Sequence, residues 1–388
     1  MKRLRLAIVS GLIHASHGGP ATILQRHYQA LRPWMDIEVI GVASPSQQRE
    51  LHAILPGSHL FAPAWPHRWF RGQGLSAALQ QIIPTCDVVH AHMLWDHPVW
   101  SACRIARRLN KPFILTPHGS LMEKWRYQAW HKRVYRWLLL DKVLQQTTFL
   151  HALSHREEEA CRQAGVTTPI RIIANGLTDE AFLPASNATQ AAAQWPNLQG
   201  KQILLYLGRL WQGKGLDDLL TAWKTLCRQP CADQWQLVLA GPDYRGYRHH
   251  LETRLAAERL HDKVQLTGEV NGQKKADLFA LANAFVLPSH SEGLSSALLE
   301  AMAAGLPAVY TTACHFPVLA QQQGGIEIPV GVAGVRQGIE QLLLLSTEQR
   351  QHMGQHARRL ALQDYTMEKI AAALYALYQD AIHSVTRD

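Results

Sequence analysis

Two glutamates, Glu292 and Glu300, stand eight positions apart in a stretch whose pattern predicts strand, loop, helix, loop and strand. The first lies in the loop and the second inside the helix, which should begin near Ser295 and Ser296 because serine suits the N-cap position. Since a helix rises about 1.5 Å per residue, the two carboxylates should be roughly 8–10 Å apart. The N-terminal end of a helix also attracts anions. This pattern predicts a site for a sugar and a ribose at opposite ends of a phosphate, with two solvated surface charges as the alternative.

Two cations that suit a diphosphate follow an earlier predicted strand. Gly208 and Arg209 come at the end of that strand, and Lys214 lies in the glycine-rich turn that opens the next helix. Arginine offers a planar fork that binds two oxygens at once, and lysine offers a point charge. We therefore predict that Arg209 and Lys214 bind a diphosphate, with ordinary surface positions as the alternative.

Three histidines follow predicted strands of the first half of the chain. His118 lies between Pro117 and Gly119 just past a strand, and His90 and His92 follow the neighbouring strand. In open α/β sheets, ligands bind at the carboxyl ends of the strands. We expect His118 to point into a ligand site, and His90 and His92 to contact an acceptor. A purely structural role is the alternative for each of the three.

The elements that must position these residues alternate between strand and helix. Strands are predicted in the first half at residues 4–10, 37–42, 88–91, 113–115, 148–153 and 170–173. A second series is predicted at residues 203–207, 237–240, 264–267, 285–287 and 308–310. Because such alternation is typical of parallel sheets, we expect an α/β fold with two Rossmann-like domains facing a central cleft.

Composition supports a globular protein of this kind. The chain has 388 residues, of which 47% are hydrophobic and 18% charged, so two domains are expected. Its six cysteines form no C-x-x-C pair and its 21 histidines form no H-E-x-x-H motif. We therefore expect reduced thiols, no structural metal and a cytoplasmic location. No apolar run approaches the roughly 18 residues that a membrane span needs, which predicts a soluble or peripheral protein.

The excess of positive charge lies in the first half of the chain. Residues 1–180 hold 21 Lys and Arg against 12 Asp and Glu, whereas the remaining residues hold 18 of each. Within residues 124–137, one helical face would carry two arginines and two tryptophans: Arg126, Trp130, Arg133 and Trp137. Such a face suits an anionic membrane surface, with a core-packing helix as the alternative. A nucleic-acid surface uses the same residue types, but no nucleic-acid motif accompanies them, and we expect no such partner.

The paired glutamates, together with Arg209 and Lys214, resemble the donor site of the group 1 (family 4) retaining glycosyltransferases, which have the GT-B fold. The resemblance implies that Glu292 lies at the donor sugar, that Glu300 binds the ribose, and that His118 contacts the sugar near the reacting carbon. One departure from the family pattern is that Leu294 and Ser295 stand where Phe-Gly is usual. This departure bears on the identity of the donor sugar.

The same resemblance assigns further positions and the domain limits. The glycine-rich turn at Gly18 and Gly19 should approach the donor phosphates or the acceptor, and the backbone of Gly268 and Val270 should lie beside the nucleotide base. The remaining donor-site positions are Leu294, Ser295 and Ser296. Residues 1–183 would form the acceptor-side domain, 184–199 a linker, 200–365 the nucleotide-sugar-binding domain, and 366–388 a helix that crosses back to the first domain.

The residues and the resemblance together imply a retaining transferase that moves a sugar from a nucleotide diphosphate sugar to a hydroxyl of a lipid-linked glycan, in envelope or exopolysaccharide synthesis. No D-x-D motif occurs, so we expect a metal-independent site and no cofactor apart from the donor substrate. The protein would act on the inner face of the cell membrane. The alternatives are a basic membrane- or nucleic-acid-binding protein with an inactive donor fold, and a GT-B epimerase or phosphorylase.

Overall fold

The computed structural model describes residues 3–17, 19–121, 141–177, 181, 191 and 193–385. The chain divides into two compact units. The first contains Met1–Asn175 together with Met367–Asp388, and the second contains Gly176–Thr366. This division starts the second unit ahead of the predicted limit at residue 183. The predicted linker, 184–199, lies partly outside the described residues.

The first unit is built on a parallel sheet with the strand order β3-β2-β1-β6-β7-β8-β9. Its strands are β1 (Arg5–Ser10), β2 (Asp36–Val42), β3 (His59–Phe61), β6 (Val88–His92), β7 (Phe113–Thr116), β8 (Phe149–Ala152) and β9 (Ile170–Ile172). A short antiparallel hairpin, β4 (Pro63–Ala64) and β5 (Arg71–Gly72), lies outside this sheet. The side chains of residues 6–9 in the central strand β1 are all at most 1% exposed. Such unbroken apolar runs are typical of parallel strands that are buried on both faces.

Helices cover the sheet of the first unit. They are α1 (Gly19–Leu31), α2 (Pro45–Ile54), α3 (Leu75–Ile82), α4 (His97–Arg108), α5 (Asp141–Gln146), α6 (His155–Gln163) and the C-terminal α14 (Met367–Val385). Helix α14 packs on α1, and the ring of its Tyr375 meets that of Trp34, just beyond the end of α1, edge to face at 5.6 Å. Helix α14 therefore contributes to the core of the first unit.

The second unit has a parallel sheet with the strand order β12-β11-β10-β13-β14-β15. Its strands are β10 (Gln202–Leu207), β11 (Trp235–Ala240), β12 (Val264–Gly268), β13 (Ala284–Leu287), β14 (Ala308–Thr311) and β15 (Gly325–Ile328). The direction in which successive strands are added reverses between β10 and β13. In the first unit the corresponding reversal lies between β1 and β6. Doubly wound sheets bind ligands at this switch point, outside the carboxyl ends of the strands.

The helices of the second unit include three that flank the switch point: α7 (Leu216–Leu226), α9 (Gly272–Leu281) and α10 (Ser296–Ala303). The others are α8 (Tyr247–Glu258), α11 (Pro317–Gln321), α12 (Val332–Leu344) and α13 (Thr347–Asp364). Helix α13 begins with a capping box, in which Ser346 and Gln349 satisfy each other's backbone N–H groups. In the part of the chain that the structure describes, no helix has the length and apolarity needed to cross a membrane.

The predicted strands are confirmed to within two residues at each end. Two sheet strands that the sequence analysis missed, β3 and β15, are edge strands, each with a single neighbour in its sheet. Their burial is incomplete, so polar residues such as His59 and Glu327 interrupt the apolar pattern. The predicted basic face of Arg126, Trp130, Arg133 and Trp137 lies outside the described residues.

Candidate functional site

Two loops meet at the switch point of the second unit. The loop after β10 carries Lys214 in a short 3-10 turn, and the loop after β13 carries Glu292. The backbone N–H of His290 donates to the carbonyl of Gly213 at 3.1 Å, which joins the two loops. Gly215 lets them approach this closely, since a Cβ atom there would lie 2.0 Å from the carbonyl oxygen of Pro288.

Glu292 is held by two donors at this junction. The Lys214 ammonium lies 2.5 Å from Glu292 Oε1, and the hydroxyl of Ser289 donates to the same oxygen at 2.6 Å. Ser289 is fully buried, and its carbonyl accepts from the hydroxyl of Thr311 in β14. A carboxylate held by two donors in this way is fixed in orientation before any ligand arrives. The carboxyl end of the sheet therefore presents an oriented acceptor beside a cation.

Glu300 lies on α10, whose first turn follows the same loop. Ser295 is the N-cap of this helix and accepts from the backbone N–H of Leu298 at 3.3 Å, as its sequence position predicts. Glu300 is 9% exposed, and its Oε1 lies 3.0 Å from Nζ of Lys275 on α9. Its other oxygen has no hydrogen-bond partner among the described residues, so this carboxylate is available to hydroxyl groups of a ligand.

Arg209 stands at the carboxyl end of β10. Its backbone carbonyl accepts from the hydroxyl of Tyr206 at 2.9 Å, and its exposed guanidinium lies 5.5 Å from the ring centre of Tyr244. Within the described parts of the chain, no carboxylate lies within ion-pair distance of Arg209. A guanidinium held over an aromatic ring and lacking a carboxylate partner is free to bind an anion.

Glycines let the three neighbouring strand ends pack closely beside Arg209. A Cβ at Gly241, which has a φ of +140°, would lie 1.9 Å from the carbonyl oxygen of Gly208. The backbone N–H of Gly241 in turn donates to the carbonyl of Gly268 at 2.8 Å. Val270, just beyond, is 5% exposed. Gly208, Gly268 and Val270 therefore lie along the same edge of the sheet, and Gly293, Leu294 and Ser295 lead into α10.

The switch point of the first unit is closed by Asp96. Its carboxylate caps α4 by accepting from Val99 N–H at 2.9 Å, and it also accepts from Gly11 N–H at 3.0 Å. Burial raises the pKa of Asp96 to about 7. Gly18 lies outside the described residues, and Gly19 begins α1, where an added Cβ would meet no atom of the described residues within 4 Å. Among those residues, the space beside Gly19 is therefore open.

His118 occupies a strained turn just past β7. Its φ of +52° lies in the left-handed region, which non-glycine residues seldom adopt and which is enriched at functional sites. The next residue, Gly119, donates its N–H to the carboxylate of Glu157 on α6, and Glu157 also accepts from Leu153 N–H at 2.7 Å. Glu157 is 2% exposed, and burial raises its pKa. Glu157 thus holds the turn that presents His118, a role that the sequence analysis did not find.

The ring of His118 belongs to a buried cluster that we call the histidine network: His27, His90, His92, His118 and His151. His92 Nδ1 and His118 Nε2 lie 2.9 Å apart, while His118 Nδ1 has no partner among the described residues. Burial lowers the pKa of His118 to about 3 and that of His151 to about 4, and it also lowers the pKa values of His27, His90 and His92. All five rings are therefore neutral at pH 7.

The protons along one series of hydrogen bonds in this network can be assigned, starting from the backbone carbonyl at its end. His151 Nε2 lies 2.8 Å from the carbonyl of Ile173, so Nε2 carries the proton and Nδ1 accepts from the hydroxyl of Thr116 at 2.8 Å. Thr116 then accepts from His90 Nε2–H at 2.7 Å, and His90 Nδ1 accepts from the hydroxyl of Tyr378 at 2.9 Å. His90 is 1% exposed with both ring nitrogens engaged. This placement favours the structural alternative for His90 over an acceptor contact, whereas His92 directly supports His118.

Several residues of these sites were not found from sequence. Each lies at a different sequence distance from the group it holds. Lys275 is 25 positions from Glu300, and Ser289 is 3 from Glu292. Glu157 is 38 positions from Gly119, and Asp96 is 85 from Gly11. Ser289, which stands between the end of β13 and Glu292, had a local signal, and so did Asp96, an aspartate at an N-cap position with a proline just inside the helix. The predicted roles of the individual site residues stay predictions.

Comparison with protein-family models identifies both parts of the chain. Residues 188–360 match the model described as glycosyl transferases group 1, and residues 17–181 match that of glycosyltransferase family 4. The chain is 27% identical over 320 residues to a GDP-mannose:cellobiosyl-diphosphopolyprenol alpha-mannosyltransferase of Xanthomonas oryzae pv. oryzae, covering 81% of this chain and 75% of that protein. It is 25% identical over 304 residues to the lipopolysaccharide core biosynthesis mannosyltransferase LpsB of Rhizobium meliloti. This match covers 74% of this chain and 81% of that protein.

Solved structures show the same fold. The Anabaena protein HepE, crystallised with UDP, matches with a TM-score of 0.77 and 17% identity, over 97% of this chain and 100% of that one. A glycosyltransferase from Rickettsia africae matches with a TM-score of 0.77 and 15% identity, over 98% of this chain and 99% of that one. The two family models, which match residues 17–181 and 188–360, show that the chain belongs to the group 1 glycosyltransferases of family 4, and the structural matches show the two α/β domains of the GT-B fold.

Proposed function

We propose that the protein is a retaining glycosyltransferase that moves a hexose from a nucleotide diphosphate sugar to a hydroxyl of a lipid-linked glycan in envelope or exopolysaccharide synthesis. The observation that carries the proposal is the pair of oriented carboxylates in the second unit, Glu292 with Lys214 and Glu300 with Lys275. Two similar proteins are mannosyltransferases, one of them named for GDP-mannose and a diphosphopolyprenol-linked acceptor. GDP-mannose is therefore the first donor to test.

The diphosphate would be stabilised as a leaving group by fixed charges. Arg209 has no carboxylate partner among the described residues, Lys214 lies at the loop junction, and the start of α10 offers the positive end of a helix dipole. Charges that are already in place when the sugar–phosphate bond breaks stabilise the transition state without reorganisation. Because these groups supply positive charge, we propose that transfer does not require a divalent metal.

The two carboxylates would take different parts of the donor. Glu292 would accept from sugar hydroxyls, while its contact with Lys214 holds its carboxylate in place. Glu300 would accept from the ribose hydroxyls through the oxygen that Lys275 leaves open. His118, neutral at pH 7, would orient the sugar near the reacting carbon. Ser295, in place of the glycine that is usual in the family, would narrow the approach to the sugar.

The acceptor and the location follow from the charge of the chain. The basic excess of residues 1–180 suits an anionic surface, and a similar protein is named for a lipid-linked diphosphate acceptor. We propose that the protein works at the cytoplasmic face of the membrane as a peripheral protein, with no nucleic-acid partner.

Donor binding can be tested by thermal shift without metal, using GDP, UDP, ADP and their sugars. A ligand at about 100 times its Kd adds about 2.7 kcal/mol of stability, a shift of roughly 5–10 °C for a unit of this size. We expect one nucleotide class to shift the wild type and to lose most of its effect in Glu300→Gln. The matched control is Glu340→Gln on α12, which removes a partly exposed carboxylate that also pairs with a cation.

Transfer is then measured with the selected donor and a polyprenyl-diphosphate glycan, in the presence of EDTA. A product whose anomeric configuration matches the donor by NMR supports retention. If no nucleotide shifts the protein while anionic vesicles bind it, the inactive-donor alternative replaces this proposal.

A further inference from the structure

A basic groove lies between α4 and α5 of the first unit. It encloses about 450 Å³ and is lined by four cations, Arg104, Arg107, Arg108 and Lys142, together with Trp100 and Gln146. All four cations are exposed. A space of this volume is within the range of small-ligand sites.

The groove is separate from the candidate site of the first unit. Helix α4 begins at the carboxyl end of β6, where Asp96 caps it, and runs back along the sheet for 12 residues. A helix of that length spans about 18 Å, so the cations of its last turns lie towards the amino ends of the strands. Lys142 stands on α5, which precedes β8 and ends near the amino end of that strand. His118 lies at the opposite edge.

The four cations are unusual in having no acidic partners in the described part of the chain. Within the described residues none of them forms an ion pair, and no carboxylate lines the groove. Arg254 of the second unit, by contrast, pairs with both Asp217 and Glu258. The helix dipole accounts for two cations in the last turn of α4. It does not account for Lys142 on a second helix, and cations gathered without counter-charges repel one another.

Aromatic and amide groups complete the lining. The guanidinium of Arg104 lies 4.6 Å from the ring centre of Trp100, which holds it at the groove. Gln146 accepts from the thiol of Cys103 through Oε1 at 3.7 Å, and its amide nitrogen has no partner among the described residues. The groove therefore offers guanidinium forks, an ammonium, an amide donor and one aromatic face.

We propose that this groove binds a phosphate or diphosphate group at a site separate from the donor site. Guanidinium forks bind two phosphate oxygens at once, and the ammonium of Lys142 adds a point charge from the other side of the groove. Trp100 provides a surface for an apolar or sugar portion of the same ligand. The phosphate comes either from an anionic lipid or from a soluble phosphorylated compound, and the two sources can be separated by experiment.

The soluble source is tested by titrating inorganic pyrophosphate calorimetrically into full-length protein at low salt. The titration uses an Arg209→Gln/Lys214→Gln background, so that loss of the donor site and loss of the groove are distinguishable. Adding Arg107→Gln and Lys142→Gln should weaken binding by about tenfold or more, equivalent to about 1.4 kcal/mol. The control adds Arg49→Gln and Arg228→Gln, two exposed arginines elsewhere with the same change in charge.

The lipid source is tested by co-sedimentation with phosphatidylglycerol vesicles, and with phosphatidylcholine vesicles as the neutral comparison. Weaker binding of pyrophosphate by the groove variant than by its control supports a soluble ligand, and a loss confined to phosphatidylglycerol supports a lipid phosphate. If the groove and control variants bind both probes equally, the proposal is overturned. Should the double change lower the Tm by more than a few degrees, the single change Arg107→Gln is measured in its place.

Discussion

Replacing His118 by asparagine should make the first unit less sensitive to acid. Burial, and secondarily the charge of His151, lowers the pKa of His118 to about 3, whereas an unfolded histidine titrates near 6.5. The unfolded chain therefore binds the proton first, so stability that is fully present above pH 6.5 is lost as the pH falls towards 3. At pH 5.0 this amounts to about 2 kcal/mol at 1.36 kcal/mol per unit. His118 as a whole residue is only half-buried, which reduces the expected value to about 1–2 kcal/mol.

Asparagine suits this test because it does not titrate and tolerates the left-handed φ of +52° at this position. Between pH 7.5 and 5.0 we expect His118→Asn to lose about 1–2 kcal/mol less stability than the wild type. The pKa of Asp96 is raised to about 7, so this residue makes the folded protein more stable as the pH falls over the same range. Because Asp96 is present in both proteins, its effect cancels in the comparison. The control is His155→Asn, an exposed histidine on α6, which should change the pH dependence by less than about 0.5 kcal/mol.

The two units need separate reporters, because a two-unit chain need not unfold in one step. Urea unfolding is followed by a deuterium pulse and mass spectrometry, so that peptides from β6 report the first unit and peptides from β10 the second. With an m-value of about 2 kcal/mol/M, the difference is a midpoint change of roughly 0.5–1 M, confined to the β6 peptides. An identical fall in the β6 midpoint for wild type and His118→Asn would show that the folded protein does not keep this ring neutral, and the reasoning would fail.

Three further substitutions test contacts of the two sites. Lys275→Met removes the cation that orients Glu300, so the Kd for the nucleotide, measured by calorimetry, should rise about tenfold. Lys274→Met changes the exposed neighbouring lysine and should leave that Kd unchanged. Gly215→Ala should cost at least about 3 kcal/mol in urea unfolding, since the new Cβ meets a backbone oxygen. Gly246→Ala, with a similar positive φ but open space, should cost only about 1 kcal/mol, and equal costs would refute the clash. Glu157→Gln leaves one of two backbone N–H groups without a carboxylate oxygen, so stability should fall by about 1–3 kcal/mol and kcat should fall as well. An unchanged kcat would argue against the role of Glu157 in positioning His118.

Much of the fold could be predicted because its signals are local. Parallel strands buried on both faces are continuous apolar runs, as in residues 6–9 and 284–287, and each is bounded by a turn. The same holds for α10, whose N-cap Ser295 and terminating Gly305 both stand where the pattern placed them. The edge strands β3 and β15 lacked this signal, since one neighbour and partial burial leave room for polar residues.

The sequence by itself determined the alternation of strands and helices, the family and the spacing of the two glutamates, because each depends on residues close together in the chain. Only the tertiary structure decided which groups hold the candidate residues in place. Lys275 reaches Glu300 across 25 positions, and Tyr378 reaches His90 across 288. Such pairs form because packed helices and strands bring distant positions together, and no periodicity or local propensity encodes them. The neutral histidine network likewise arises from burial, which the fold creates.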